Sequence, residues 1–301
     1  MMQSMSGFNG LGLTPKYEGK VRELYDLEDR LLIVCTDRLS AFDVVFDQLI
    51  PGKGIILNDI TKKWFELCNK IGIRNHFISA DVQDLPAEFT DYADRLENRF
   101  LIVRKGKRID FEFIVRGYLM GSAVKEYNDS GGLWGQPLPE GLKNGSRLEN
   151  PLLTATTKVD SGGHDEPISV ELIKDKIGEA VFNEVEKASL KLFNEASLLL
   201  ENQGILLMDT KFEFALYEDQ VMLIDEILTP DSSRFCFVDK YNEAMKEDKP
   251  IQTMDKQIIR DHLQKSNWNF KYPAPQLPKE VIDHTFNQYN QLKEIIECNI
   301  K

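Results

Sequence analysis

Apolar residues recur with a period of two near the start of the chain and with a period close to 3.6 further on, so strands and then helices are expected. Between Lys20 and Val45, VRELYDL, a charged turn at Glu28-Asp29-Arg30 and LLIVC predict a hairpin of strand formers. Ile60, Trp64, Leu67 and Ile71 lie at helical spacing and predict a short helix over 58–71, stopped by Gly72. Strands return as FLIV over 100–103 and FEFIV over 111–115. Arg104, Lys105, Lys107 and Arg108 lie between them around Gly106 and read as a hairpin turn with solvated charges. The stretch 130–151, rich in glycine and proline, is a long excursion of the kind that covers a site. Leu172, Ile173, Ile177, Val181, Val185, Leu192, Phe193 and Leu199 then form one apolar helical stripe over 170–202, ending near Gly204. Two more helices, over 254–265 and 279–298, follow around a loop with Pro273, Pro275 and Pro278. The order is mixed, without regular strand and helix alternation, so the fold class is α+β.

Two adjacent segments interrupt this pattern with charge: MDTKFEF at 208–214 and LIDEILTPDSSRF at 223–235. In an extended chain Asp209, Lys211 and Glu213 share one face, and Thr210, Phe212 and Phe214 the other. Asp225 and Glu226 end the second run, and a polar turn leads to Arg234. Carboxylates, a lysine and an arginine on rigid strands suit Mg²⁺ and phosphates, against the plainer reading of a solvated sheet face. A connecting loop of odd length, such as Glu218, Asp219 and Gln220, sets Glu213 opposite Asp225; an even loop sets it opposite Ile224. The odd loop is the expectation, because it joins two carboxylates.

Composition narrows the functions. The chain has 301 residues, 42% of them hydrophobic, enough for one large or two smaller domains. A net charge of -12 repels nucleic acid and anionic membranes, and neither is expected as a partner. Cys35, Cys68, Cys236 and Cys298 are far apart in sequence and form no zinc pattern with the four histidines, which suggests a reduced, cytoplasmic protein. The first residues resemble no export signal, and no apolar run approaches the roughly 20 residues that span a bilayer.

Smaller motifs add candidate chemistry. In YEGKVR, Gly19 permits close backbone approach and Lys20 offers a charge for phosphate, although a solvated lysine in a turn is the more frequent case. TDRLSAFD, with Asp37 and Ser40, follows the strand LLIVC, where sites often form and where a structural turn is as common. Arg116 ends a strand before a glycine-punctuated loop and Ser122, an arrangement suited to a phosphate monoester and compatible with a simple N-cap. TATTKVDSGGHDEPIS combines Lys158, which could reach nucleotide phosphates, with Gly162-Gly163. Its Asp165 could face a metal or an amine substrate, and His164 is expected to orient groups by hydrogen bonding.

Taken in order, YEGKVRELY, TDRLSAFD, VRGYLMGSAVKEY, TTKVDSGGHDEPIS, DTKFEF and LIDEILTPDSSRF resemble the successive motifs of the SAICAR synthetase family over about residues 17–235. The resemblance implies a fold related to ATP-grasp proteins. A β-rich lobe over 1–110 would cover the nucleotide, an α+β lobe over 111–301 would bind substrate, and the ATP cleft would lie between them. It implies that Gly19, Lys20, Lys158, Lys211 and Glu213 serve ATP, with Glu213 toward the ribose, and that Asp225 binds Mg²⁺. Asp37, Ser40, Arg116, Ser122, Asp165, Asp231, Ser232 and Arg234 would serve the ribotide or L-aspartate. Val124, Ala215 and Cys236 depart from the tryptophan, glycine and tryptophan usual at these places, which bears on local packing and substrate fit.

The implied reaction joins L-aspartate to carboxyaminoimidazole ribotide with ATP, through an acyl phosphate; no obligate protein partner is implied. Such chemistry needs aligned reactants and neutralised charge more than a nucleophilic side chain. A related ligase with another acid or amine is the first alternative. A kinase is disfavoured because HRD and DFG segments are lacking. A non-catalytic nucleotide-binding module is disfavoured by the joint presence of Lys20, Lys158, Glu213, Asp225 and Arg234.

Overall fold

The computed structural model describes residues 4–8, 13–158 and 168–300. Its strands are β1 (Tyr17–Glu18), β2 (Arg22–Leu27), β3 (Arg30–Cys35), β4 (Arg38–Ala41), β5 (Val44–Leu49), β6 (Phe77–Ser79), β7 (Phe100–Arg104) and β8 (Lys107–Arg108), continuing with β9 (Phe111–Tyr118), β10 (Gly132–Leu133), β11 (Gln136–Pro137), β12 (Arg147–Thr157), β13 (Ile205–Tyr217), β14 (Gln220–Ile224) and β15 (Ser233–Phe237). The α-helices are α1 (Lys53–Lys70), α2 (Ala93–Leu96), α3 (Ser122–Ser130), α4 (Val170–Ile177), α5 (Glu179–Glu201), α6 (Val238–Glu247), α7 (Gln257–Gln264) and α8 (Lys279–Asn299). The mixed α+β composition agrees with the sequence pattern.

A five-stranded antiparallel sheet, β1-β2-β3-β7-β6, is buried on both faces in its centre. Leu32, Val34, Phe100 and Ile102 pack outward against Phe8, Phe89 and Leu96, while Ile33, Leu101 and Val103 face the main core with Trp64 and Phe65 of α1. Double-sided burial explains why LLIVC and FLIV are unbroken apolar runs. The second sheet runs β12-β9-β13-β14, with β8 and β15 also paired to the long β13. Helix α5 covers it through Phe182, Val185, Leu192, Phe193, Ala196 and Leu200, and Tyr289, Leu292 and Ile296 of α8 join the same core. The sheets are stitched by a parallel bridge between Asn75 and Leu223.

Several local expectations differ from what the chain adopts. FLIV and FEFIV do not form a hairpin: β7 pairs with β3 and β6, β9 with β12 and β13, so residues 104–108 cross between sheets. Each run is paired on both edges, β7 in one sheet and β9 in the other, and the apolar residues of each are covered in the core of its own sheet. The helical stripe over 170–202 is divided at Gly178, whose φ of 86° and ψ of 146° suit glycine and end α4 before α5 begins. The first helix begins five residues earlier than its periodicity suggests, at Lys53, and α6 has no counterpart in the expected pattern. Among the described residues, no helix is long and apolar enough to cross a membrane.

The turn between β13 and β14 corrects the register. Tyr217 pairs with Gln220 and Glu213 with Ile224, so the loop is Glu218-Asp219 alone, an even loop. Their φ values of 52° and 58° give the left-handed two-residue turn that matches strand twist, which outweighs the benefit of facing carboxylates. Asp225 then leaves the ladder with a φ of 66°.

Candidate functional site

Strand alternation holds along 208–214: Phe212 and Phe214 enter the core, while Asp209, Lys211 and Glu213 emerge on a polar face. Asp209 and Lys211 line a cavity of about 170 Å³ with Arg116, Ser122, Ser232, Arg234 and Arg260. Arg116 lies opposite Asp209 on neighbouring strands, its guanidinium 3.7 Å from the carboxylate, and donates to Thr154 Oγ1 at 3.1 Å and Ser122 Oγ at 3.4 Å. Arg234 donates to the same Asp209 carboxylate. Burial pulls the Arg116 pKa below its ordinary value, Asp209 opposes this and Arg234 adds to it, so two guanidiniums compete for one carboxylate.

Gly121 permits that arrangement. Its φ is +58°, and a Cβ there would lie 2.8 Å from one Arg234 nitrogen. Gly121, not Ser122, is the N-cap of α3, and Ser122 is the first helical residue with its hydroxyl toward Arg116. In the cavity wall, Asp231 accepts from Lys53 at 2.8 Å, Lys256 at 2.9 Å and Tyr289 at 2.8 Å. Lys211 pairs with Glu112 at 2.6 Å, and Arg260 with Asp255 at 2.8 Å. Four cations, Arg116, Lys211, Arg234 and Arg260, thus line the cavity against three carboxylates, Asp209, Asp231 and Asp255. The surplus suits a phosphate monoester, whose charge at neutral pH is about −1.5 to −2.

Further along the polar face, Glu213 is buried against Lys158. Arg22 forms a two-pronged pair with Asp225 and reaches Glu226 at 3.2 Å. Burial and then the Asp225 charge raise the Glu213 pKa, although Lys158 and Lys211 oppose them. Burial would also raise Asp225, but Arg22, Lys158 and Lys211 outweigh it and hold the carboxyl below its ordinary value. The two carboxylates therefore feel each other despite the even register, because the left-handed Asp225 turns out of the strand. Asp225 and Glu226 offer hard oxygen donors for a divalent cation. Among the described residues no three histidine, cysteine, aspartate or glutamate side chains form a ready-made cage. Mg²⁺ bound together with phosphates commonly uses only one or two carboxylates.

The remaining expected residues divide. Lys20 is half exposed and paired with Asp43, beside a tight turn in which Gly19 N–H donates to Arg22 O at 2.8 Å. Ser40 is on β4, outside the residues lining the cavity. Asp37 is a correction: it is fully buried, accepting from the backbone of Met5 at 2.8 Å and Gly54 at 2.9 Å and from Arg99 at 3.3 Å, so it braces the fold and cannot reach a substrate. Asp231 is similarly engaged on both oxygens and holds the 229–232 turn from which Ser232 and Arg234 reach the cavity. His164 and Asp165 lie outside the described residues. The excursion over 130–151 packs on α3 through Leu133, Leu138 and Leu142. Val124, Ala215 and Cys236 all occupy packed positions, and none lines the cavity.

Six residues escaped the sequence reading: Arg22, Lys53, Glu112, Asp255, Lys256 and Arg260. Arg22 had a signal, since it follows Lys20 at strand spacing. Arg260 follows Lys256 by one helical turn, but only the fold brings that helix to β13 and β15.

An α+β enzyme with a cationic pocket beside a lysine and carboxylate cluster is the class that fold and site define. Comparison with known proteins makes it specific. The family model for SAICAR synthetase matches residues 15–275. A phosphoribosylaminoimidazole-succinocarboxamide synthase of Leptospira interrogans serogroup Icterohaemorrhagiae serovar copenhageni is 44% identical over 284 residues, spanning 94% of this chain and 97% of that protein. One of Geotalea uraniireducens is 44% identical over 271 residues, 90% of each. The SAICAR synthase of Saccharomyces cerevisiae, solved with SAICAR, superposes with a TM-score of 0.85 at 34% identity over 98% of both chains. The chain belongs to the SAICAR synthetase family.

Proposed function

We infer that the protein ligates L-aspartate to carboxyaminoimidazole ribotide with ATP, giving SAICAR, ADP and phosphate in purine biosynthesis. Family membership supports the reaction, and the carrying observation in the site is the cationic surplus around Arg116, Ser122 and Arg234. These residues take the ribotide phosphate, with Ser232 beside them. Lys158, Lys211 and Lys20 neutralise the ATP phosphates, and Glu213 accepts from the ribose once Lys158 turns to phosphate. Asp225, with Glu226 adjacent, holds Mg²⁺, which when bound neutralises phosphate charge.

A carboxylate is a poor acyl donor because oxide is a poor leaving group, so its oxygen first attacks the γ-phosphorus and ADP leaves. The aspartate amine then attacks the acyl carbon, a C–N bond forms, and phosphate departs with the C–O bond electrons. The protein aligns these partners, an effect worth on the order of 7 to 11 kcal/mol in well-oriented systems. Gly19 leaves room for the nucleotide, and Ser40 and Asp165 belong to the aspartate or ribotide side. A β-rich lobe over 1–110 covers ATP and a lobe over 111–301 binds the other substrates, an ATP-grasp-like division. Cytoplasmic residence fits four unpaired cysteines.

The test is a complete-omission assay with Mg²⁺, ATP, ribotide and L-aspartate. ADP and SAICAR are expected only when all are present. SAICAR formed without ATP refutes the ligase reading, and equal rates with glutamate or glycine refute the choice of amine.

A further inference from the structure

The segment TDRLSAFD closes around the turn that carries Gly19 and Lys20. Arg38, which opens β4, is 8% exposed, and its guanidinium lies on the buried side of that turn. Its Nη2 donates to Gly19 O at 3.0 Å and to Arg22 O at 3.1 Å, so one nitrogen ties both ends of the turn. Its Nη1 donates to Glu18 Oε1 at 2.6 Å, Glu23 Oε1 at 3.3 Å and Ser6 O at 3.1 Å. Between the tied ends, Val21 O accepts from Thr36 N–H at 3.0 Å and from Thr36 Oγ1 at 2.7 Å. On the exposed side, the Lys20 ammonium pairs with Asp43, from the same segment as Arg38 and Thr36.

These bonds give the turn a direction. Carbonyl and N–H point opposite ways across a trans peptide, and the Gly19–Lys20 bond is trans. With Gly19 O drawn to Arg38, the N–H of Lys20 therefore faces away from the guanidinium. Glu18 of β1 and Glu23 of β2, on the two strands that the turn joins, balance the Arg38 charge. A planar fork can hold two carbonyls and two carboxylates at once, whereas an ammonium is a single point charge. Neither Arg38 nor Thr36 lines the cavity around Arg116 and Arg234, so the clasp acts on the turn and leaves that pocket untouched.

We propose that Arg38 is a positioning residue for the nucleotide: by holding Gly19 O and Arg22 O inward, it sets the turn so that the N–H and the ammonium of Lys20 are presented together to the ATP phosphates. The proposal rests on the reading that Lys20 serves ATP. A backbone N–H in a fixed turn is a recurring partner of phosphate, and the lysine adds its charge at the same place.

The experiment is calorimetry on the full chain with a non-hydrolysable ATP analogue and Mg²⁺, and separately with carboxyaminoimidazole ribotide. It compares wild type, Arg38→Lys, the double variant Arg38→Met with Glu23→Gln, and Lys20→Ala. Lysine keeps the charge beside Glu18 and Glu23 but loses the fork; the double variant removes the pair together, so Glu23 is not stranded as a buried charge. Both Arg38 variants should lose about 10-fold or more in affinity for the ATP analogue, the equivalent of one or two hydrogen bonds to a charged group. Ribotide affinity should be unchanged in both. If Arg38→Lys does not fold, the double variant decides. Wild-type affinity for the analogue in a folded Arg38 variant overturns the proposal, as does an equal loss for the ribotide, which marks general loosening of the fold. Wild-type affinity for the analogue in Lys20→Ala would instead remove the reading on which the proposal rests.

Discussion

Replacing Asp231 with asparagine removes the one carboxylate shared by two buried lysines. Lys53 is fully buried, and the Lys256 and Asp231 side chains are 9% and 2% exposed, so solvent screens little of the loss. At 2.8 Å and an effective dielectric of about 20, each attraction is roughly 6 kcal/mol before desolvation is subtracted. Breaking a buried pair by removing one partner costs about 3 to 5 kcal/mol net, which for a chain of this size lowers Tm by on the order of 10 °C. The pH dependence provides a second signature. Burial alone would raise the Asp231 pKa, but Lys256 and Lys53 hold it well below its ordinary value. Its stabilising effect is therefore fully present above the unfolded value of about 3.9 and declines as pH falls from there through the lower folded value, so the gap between wild type and variant should begin to narrow in acid. Burial, with Lys53 adding and Asp231 opposing, already holds Lys256 below its ordinary pKa. Without Asp231 a lysine sheds its proton more easily in the folded state, so the variant should gain stability as pH rises toward 10. Denaturant melts at pH 3.5, 7 and 9 test this. A cost under about 1 kcal/mol at pH 7, or parallel pH profiles, would refute the reasoning.

Other outcomes follow from the same geometry. Arg234→Ala should raise the KM for ribotide by about 10-fold or more with little change for ATP, measured by initial rates, because it removes a charge-assisted donor and leaves Asp209 to Arg116. Gly121→Ala should reproduce that ribotide defect in milder form, since the added methyl displaces Arg234 at a positive φ; an unchanged KM would mean that the guanidinium tolerates the shift. Lys158→Met should weaken ATP binding by about 1 to 3 kcal/mol in calorimetry while ribotide binding persists. Asp219→Gly should stabilise the β13–β14 turn by up to about 1 kcal/mol, read from denaturant midpoints, because glycine adopts its φ of 58° without strain.

The polar face of β13 was legible in the sequence because strand alternation is a local property of the backbone: Asp209, Lys211 and Glu213 had to emerge opposite Phe212 and Phe214. The conformation of Gly178 was not legible, since a single glycine inside a helical stripe is compatible with either one helix or two. The turn register failed for a related reason. Functional convenience favoured an odd loop, but the twist of paired strands selects two left-handed residues, and only the bent backbone of Asp225 restores the encounter with Glu213.

By itself the sequence determined the α+β class, the ordered family motifs and the charged side chains able to meet phosphates and metal. Tertiary structure decided how those charges are shared. It withdrew Asp37 into the brace between Arg99 and α1, and it tied Asp231 to Lys53, Lys256 and Tyr289. It also brought Arg22 to Asp225, 203 residues away in the chain. Side-chain chemistry and local periodicity are written along the chain, whereas ion pairing and burial depend on long-range packing, which brings distant segments together only when the whole core forms.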